Sequence, residues 1–300
     1  MSGAQEVSVS EPRKFRAALV QMRTSRNVIA NIDAAAKMIR EAKALGADYV
    51  QTPEQTSLME LDRASLFGHI VEEERDPALA AFQELARELN IQLHVGSLAV
   101  KIAPEKAANR AFFIDANGEI VARYDKIHMF DVDLAKGESY RESNTYRAGD
   151  VAVVVQAPFC KVGLSICYDV RFPALYRALA EAGAEVLTVP AAFTKQTGEA
   201  HWHLLLRARA VETGCFVLAA AQGGHHENKR DTYGHSLVVD PWGQVIAEAG
   251  TEPGVTIAEI DLALVAQARQ RVPALDHGRR FEVIAPAKDN SRLHLVGKAS

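Results

Sequence analysis

The 300-residue chain has three cysteines, Cys160, Cys167 and Cys215, an odd number with no C-x-x-C pair. That excludes a disulfide framework and suits a reducing cytoplasm. It has no apolar run approaching the ~20 residues a membrane span needs. Residues 1–14 are polar and lack the apolar core of a secretory signal, so a flexible N-terminal tail is expected there. Basic residues are not in excess either: 34 Lys and Arg stand against 38 Asp and Glu, a formal charge of −4. Such a balance gives no general footing for a phosphate backbone, which argues against a nucleic-acid partner. There is no G-x-G-x-x-G and no P-loop, so dinucleotide and ATP binding have no support.

Hydrophobic residues make up 48% of the chain, enough to cover both faces of a buried sheet. The pattern is mostly strand, helix, strand. An apolar run at 15–21 suits a buried strand. Ile32, Ala35, Ala36, Ile39 and Ala42 recur at helical spacing, with Gly46 as a stop. Asp76-Pro77 caps a helix at 78–89, and Asn117-Gly118 joins two strands as a hairpin. Strands are expected at 48–52, 92–100, 111–115, 119–124, 151–156, 162–166, 185–189, 216–221, 236–240, 244–247 and 255–260. Helices are expected at 173–182, 202–212 and 262–270. Hairpins mixed with helical crossovers predict layered sheets with helices outside. No low-complexity linker or repeat divides the chain. It reads as one domain over residues 15–285, with 286–300 as a C-terminal tail.

Three reactive side chains lie just past predicted strands: Glu54, Lys126 and Cys167. In α/β folds ligands collect beyond the carboxyl ends of strands, so these three can meet in space. Together they form a working set. A thiol with an ordinary pKa of ~8.5 is largely protonated at neutral pH. A carboxylate takes its proton and later returns it to the leaving amine. An ammonium stabilises the oxyanion between those steps. No metal or organic cofactor is required. Each residue alone has a plainer reading: a buried small hydrophobe for cysteine, which is the reading for Cys160 and Cys215, a helix-start charge for Glu54, a solvated lysine for Lys126.

The local sequence around these positions resembles the nitrilase, or carbon–nitrogen hydrolase, superfamily. Thr52-Pro53-Glu54 resembles its glutamate motif, Arg123-Tyr124-Asp125-Lys126-Ile127-His128 its lysine motif, and Gly163-Leu164-Ser165-Ile166-Cys167-Tyr168-Asp169 its cysteine elbow. The resemblance runs from about residue 15 to 283. It implies a four-layer αββα sandwich that assembles into a homodimer or larger oligomer through outer helices such as 173–182. It further implies attack by Cys167, release of ammonia or amine, and hydrolysis of a thioester, with Lys126 and the backbone N–H of Tyr168 as the oxyanion hole. A second family glutamate maps onto Glu142, with Glu138 as the competitor, where it would brace Lys126. The segment 198–210, Tyr233-Gly234-His235-Ser236 and Asp240-Pro241-Trp242-Gly243 are similar to the deaminated glutathione amidase group, with the ω-amidase group as close rival. The substrate class implied is a small carboxylated amide. Arg171, Phe193 and Thr197 match pocket positions of related amidases, and the Arg171 guanidinium suits a carboxylate. A plainer reading pairs Arg171 with Asp169 or another carboxylate.

Other patterns carry less. His201-x-His203 lies at i, i+2 of an expected helix, which do not share a face. His226-Glu227 would open H-E-x-x-H, but Arg230 fills the last position, so no metal site is expected. His128 is read as a structural hydrogen-bonding residue, not a partner base. Ser165 lacks the second glycine of G-x-S-x-G. Within enzymes the alternatives are an N-carbamoyl amide or nitrile hydrolase. Outside them stands a silent oligomeric scaffold, which would have lost a member of the trio; this chain keeps all three.

Overall fold

The computed structural model describes residues 13–286 and 293–299. Its first sheet is built from β1 (Lys14–Gln21), β2 (Tyr49–Gln51), β3 (Gln92–Ala103), β4 (Lys106–Ile114), β5 (Ile120–Asp125) and β16 (Gly254–Asp261), in the order β16-β1-β2-β3-β4-β5. The second holds β8 (Val154–Gln156), β9 (Lys161–Gly163), β10 (Val186–Thr188), β11 (Phe216–Ala219), β14 (Leu237–Val239) and β15 (Val245–Glu248), in the order β15-β14-β11-β10-β9-β8. Each sheet has three parallel strands at its centre, β1-β2-β3 and β9-β10-β11, flanked by antiparallel neighbours. The two halves thus share one pairing pattern although no repeat is visible in the sequence.

Strand alternation assigns the layers. Along β1, Ala17 and Leu19 join the core that also contains Val162, Val186 and Val217 of the second sheet. Ala18 and Val20 point the other way, onto Ile32, Ala35 and Ile39 of α1 (Val28–Ala44) and Leu79 and Phe82 of α3 (Pro77–Leu89). Period-2 strands buried on both faces require both covers. The second sheet is covered by α4 (Pro173–Glu181) and α5 (Lys195–Thr213), which bury Tyr176, Leu179, Trp202 and Leu206. The result is the helix–sheet–sheet–helix sandwich expected. Among the described residues no helix is long and apolar enough to cross a membrane.

Five segments differ from the sequence reading. Helix α5 starts at Lys195, well before 202, because Thr197 and Gly198 in its first turns weaken the helical pattern. Gly198 is needed there: a Cβ would lie 2.3 Å from the Tyr233 side chain. The short helix α2 (Arg63–His69), capped by Asp62 accepting from the Ser65 N–H, was unmarked by any apolar periodicity, as were the hairpins β6 (Asp131–Asp133) with β7 (Ser139–Arg141) and β12 (Gly223–His225) with β13 (Asp231–Tyr233). At the C-terminus, β17 (Phe281–Pro286) pairs antiparallel with β18 (Leu293–Ala299), so most of the tail expected at 286–300 is strand. Its short Leu-His-Leu alternation is the signal the tail reading passed over. Residues 1–12 of the N-terminal tail lie outside the described residues, and Lys14 already opens β1. The helix α6 (Ala263–Arg271) follows β16.

Candidate active site

The topology explains why distant residues meet. β2 and β3 run parallel, and β5 is antiparallel to β4, which is antiparallel to β3. The carboxyl ends of β2 and β5 therefore share one edge, and Glu54 and Lys126 follow those ends. Cys167 follows β9 on the facing sheet. Gly96 sits in a register shift of β3 between these parts. A Cβ there would lie 2.1 Å from the Thr52 carbonyl oxygen and 2.5 Å from Pro190, so only glycine lets the two sheets close at this point.

Cys167 opens a tight turn, 167–171, with φ of +49°, a left-handed conformation that costs a non-glycine residue ~1–3 kcal/mol. Surrounding bonds hold it. Its N–H donates to the Pro190 carbonyl at 2.9 Å, and the Asp169 carboxylate accepts from the Ile166 N–H at 2.9 Å. Asp169 also accepts from the Tyr124 hydroxyl at 2.7 Å and the His128 N–H at 3.0 Å, and lies 2.7 Å from His128 Nδ1. His128 further stacks on Phe172 at 3.5 Å. The structural reading of His128 agrees with this geometry. One fully buried carboxylate ties the lysine-bearing segment to the cysteine turn.

Lys126 is 2% exposed and its Nζ donates to Glu54 Oε1 at 2.9 Å and to Glu142 Oε1 and Oε2 at 3.0 and 2.9 Å. The other Glu54 oxygen accepts from the Ala192 N–H at 2.8 Å. Asn109, on β4, donates one amide nitrogen to both carboxylates, at 2.9 Å to Glu54 and 3.1 Å to Glu142. Phe130 N–H adds a 2.7 Å bond to Glu142. Glu138, the alternative to Glu142, stays exposed beside the Tyr140 hydroxyl at 3.3 Å.

These contacts set the charges. Burial opposes the Lys126 ammonium, but Glu142 and Glu54 outweigh it and hold its pKa well above the ordinary value. Burial likewise opposes the Glu54 carboxylate, yet Lys126 keeps its pKa below the usual range. Burial and the Glu54 charge push the Cys167 thiol well up, against the pull of Lys126. At rest the proton sits on sulfur and the carboxylate is ionised.

Glu54, Lys126, Glu142, Cys167 and Tyr168 line one cavity of about 210 Å³, together with Phe193 and Thr197. Arg171 does not line it. Its guanidinium lies 5.2 Å over the Phe193 ring and 5.8 Å over Tyr168, and contacts His201 at 3.3 Å; Asp169 is used elsewhere. Asn109 and Arg230, both close to the trio, were not singled out as site residues from sequence. Asn109 is a polar break in an apolar strand face shared with Ala111 and Phe113. Arg230 carried no local signal. His203 meets His235 and Glu248 on the surface, where one Glu248 oxygen bonds both imidazoles at 2.9 and 2.8 Å. His226 is buried between the Thr24 carbonyl and the Thr232 hydroxyl.

Comparison with known proteins follows the same lines. Residues 16–270 match the family profile described as carbon-nitrogen hydrolase. The chain belongs to the carbon–nitrogen hydrolase family. A protein named deaminated glutathione amidase from Synechocystis is 41% identical over 274 residues, covering 88% of this chain and 98% of the relative. The NitFhit protein of C. elegans superposes with a TM-score of 0.82 and 37% identity over 89% of this chain; the chain spans 65% of that protein. An amidase mutant from Nesterenkonia sp. AN1, solved after Michael addition of acrylamide at its active-site cysteine, gives a TM-score of 0.73 and 27% identity over 86% of this chain and 98% of that one. This carbon–nitrogen hydrolase is an amide-hydrolysing enzyme that depends on a cysteine.

Proposed function

We propose that this hydrolase cleaves the C–N bond of a small linear amide carrying a carboxylate, of the deaminated glutathione type, with Cys167 as nucleophile. The observation that carries the reading is Lys126 bridging Glu54 and Glu142 beside the Cys167 thiol in one cavity. In this reading the sulfur attacks the amide carbon while its proton passes to Glu54. Lys126 and the Tyr168 N–H hold the oxyanion. Glu54 then gives the proton to the departing nitrogen, the C–N bond breaks, and an acyl thioester remains. Water, losing a proton to Glu54, attacks the thioester; the acid leaves and the proton returns to sulfur. Glu142 and Asn109 keep Lys126 and Glu54 in place. Phe193 and Thr197 form a wall of the substrate site, and Arg171 lies over the Phe193 ring.

The pH dependence has a definite sign. Glu54 must be ionised, and its pKa is held below the ordinary value. Lys126 must be charged, and its pKa is held above. The Cys167 thiol is pushed up, so thiolate formation does not intrude. For a neutral amide, kcat/KM is expected to be flat from about pH 5.5 to 9. A profile rising through pH 8 with free-thiol ionisation would contradict this assignment of the resting proton.

Three free thiols, all buried, suit a reducing compartment such as the cytoplasm, and export of the protein in cell fractionation would count against it. Assembly with a second copy is supported by Leu204 and Val211, seven residues apart on α5 and 67% and 56% exposed. Sedimentation should find a homo-oligomer that Leu204→Glu weakens. A wild-type monomer at micromolar concentration would exclude it.

A further inference from the structure

We propose that His203, His235 and Glu248 form a binding site for one divalent transition ion of the zinc type, at the outer seam between α5 and the β14–β15 hairpin. None of the three lines the catalytic cavity, so the site is separate from the amide chemistry.

Three elements converge here. His203 lies on α5, His235 in the link between β13 and β14, and Glu248 on β15. Their ligand atoms all lie within 4.8 Å of one another. His203 Nε2 is 2.9 Å and His235 Nδ1 2.8 Å from the same oxygen, Glu248 Oε1. In a tetrahedral zinc site with bonds of ~2.0–2.1 Å, ligand atoms sit about 3.3 Å apart. Small side-chain rotations open the present contacts to that spacing. Two imidazole nitrogens and one carboxylate oxygen are a donor set that suits Zn²⁺, and three protein ligands leave a fourth position for water. The His203, His235 and Glu248 side chains are 35%, 26% and 36% exposed, so an ion reaches them from solvent.

The surroundings hold this arrangement in place. The Trp202 indole N–H donates to the His235 carbonyl at 2.9 Å, tying His235 to the helix residue that precedes His203. The His235 N–H donates to the Gly250 carbonyl at 2.9 Å, and Glu248 stands opposite Leu237 in the β14–β15 register. Tyr233 stacks on the His235 ring at 4.3 Å and meets the His203 ring edge to face at 6.0 Å. Both rings are therefore set by packing against a rigid frame. Charge favours a cation as well. Burial opposes the Glu248 carboxylate, but hydrogen bonds from His235 and His203 outweigh it and hold its pKa below the ordinary value. An ionised carboxylate only accepts, so each imidazole turns an N–H toward it. On coordination that proton moves to the outward ring nitrogen and the lone pair faces the ion. Glu199 lies one turn before His203 on the same face of α5. Burial and then the charges of Glu248 and Glu199 raise the Tyr233 pKa, which places the Glu199 charge at this seam. Spacing concealed the site in the sequence: His201 and His203 do not share a face, and the partners of His203 come from other elements.

The test titrates the full chain, stripped of metal by a chelator, with Zn²⁺ in a calorimeter and with Co²⁺ as a spectroscopic probe. Wild type should bind one Zn²⁺ per chain. Its Co²⁺ form should show visible d–d bands without the thiolate charge-transfer band that ligation by Cys167 would add. His235→Ala and His203→Gln should each weaken Zn²⁺ binding at least ~10-fold. Glutamine at 203 still hydrogen-bonds Glu248 but is a poor zinc ligand, so this variant carries the test if His235→Ala does not fold. His201→Ala and His225→Ala should leave the affinity within about twofold of wild type. Zinc should raise the thermal midpoint of wild type and of His201→Ala, and not that of His203→Gln. No zinc binding by wild type, undiminished affinity in folded His203→Gln, or a thiolate band in the Co²⁺ form overturns the proposal. None of these readouts uses amide turnover, so the result is independent of the amidase reading.

Discussion

Cys167→Ala is expected to lower amide turnover by at least ~10⁴-fold, the scale seen when a covalent nucleophile is removed, with little loss of stability. The side chain is small and lines the cavity at the edge of the core, so truncation removes a single sulfur from the packing. Alanine also inherits the same left-handed backbone at no greater strain than cysteine. The binding groups remain, so the variant should still retain substrate. Cys160→Ala and Cys215→Ala provide the contrast. Those thiols are 1% and 0% exposed, lie in the core, and do not line the cavity. Full-rate turnover by folded Cys167→Ala, in a steady-state assay of released amine, would refute the nucleophile.

Lys126→Met is expected to harm both stability and rate. Removing the ammonium leaves the buried Glu54 and the half-buried Glu142 sharing one Asn109 nitrogen, without the ammonium that pairs them. Breaking a buried pair from one side costs about 3–5 kcal/mol. Loss of an oxyanion partner should lower kcat by about 10²- to 10³-fold. The stability loss has a pH signature. In the wild type Glu54 is held below its ordinary pKa, so its pairing stabilises the fold above that value and is lost in acid. In the variant the largest opposing charge is gone, so burial and the neighbouring charge of Glu142 raise it against the smaller pull of Arg230. Protonation of the folded state then relieves the strain as pH falls. Urea unfolding should therefore show a larger deficit at pH 8 than at pH 5. Equal deficits at both would mean that Lys126 is not the counter-ion of this pair.

Glu54, Lys126 and Cys167 were legible because each follows a strand end in a distinctive local sequence, and strand ends are where an α/β fold gathers reactive groups. The layered sandwich was legible for a related reason, since strands buried on both faces demand covers. Glu142 against Glu138 was open on residues alone; what separates them is a turn that points one carboxylate at Lys126 and leaves the other in solvent. Asn109 and Arg230 act through contacts across 55 and 38 residues, and nothing in their immediate sequence announces those partners. Four residues after the nucleophile, Arg171 reads as a pocket group; its guanidinium lies over the rings of Phe193 and Tyr168, two residues of the cavity lining. The start of α5 was hidden because a helix packed closely on Tyr233 uses a glycine where propensity asks for a better helix former.

The most direct measurement is acid quenching of the wild-type enzyme during turnover of a carboxylated amide, followed by peptide mapping. The account predicts the mass of the acyl half on the peptide containing Cys167, none on those containing Cys160 or Cys215, and complete inhibition once Cys167 is carbamidomethylated. Undiminished amine release with that sulfur blocked, and no acyl mass on it during turnover, would contradict it.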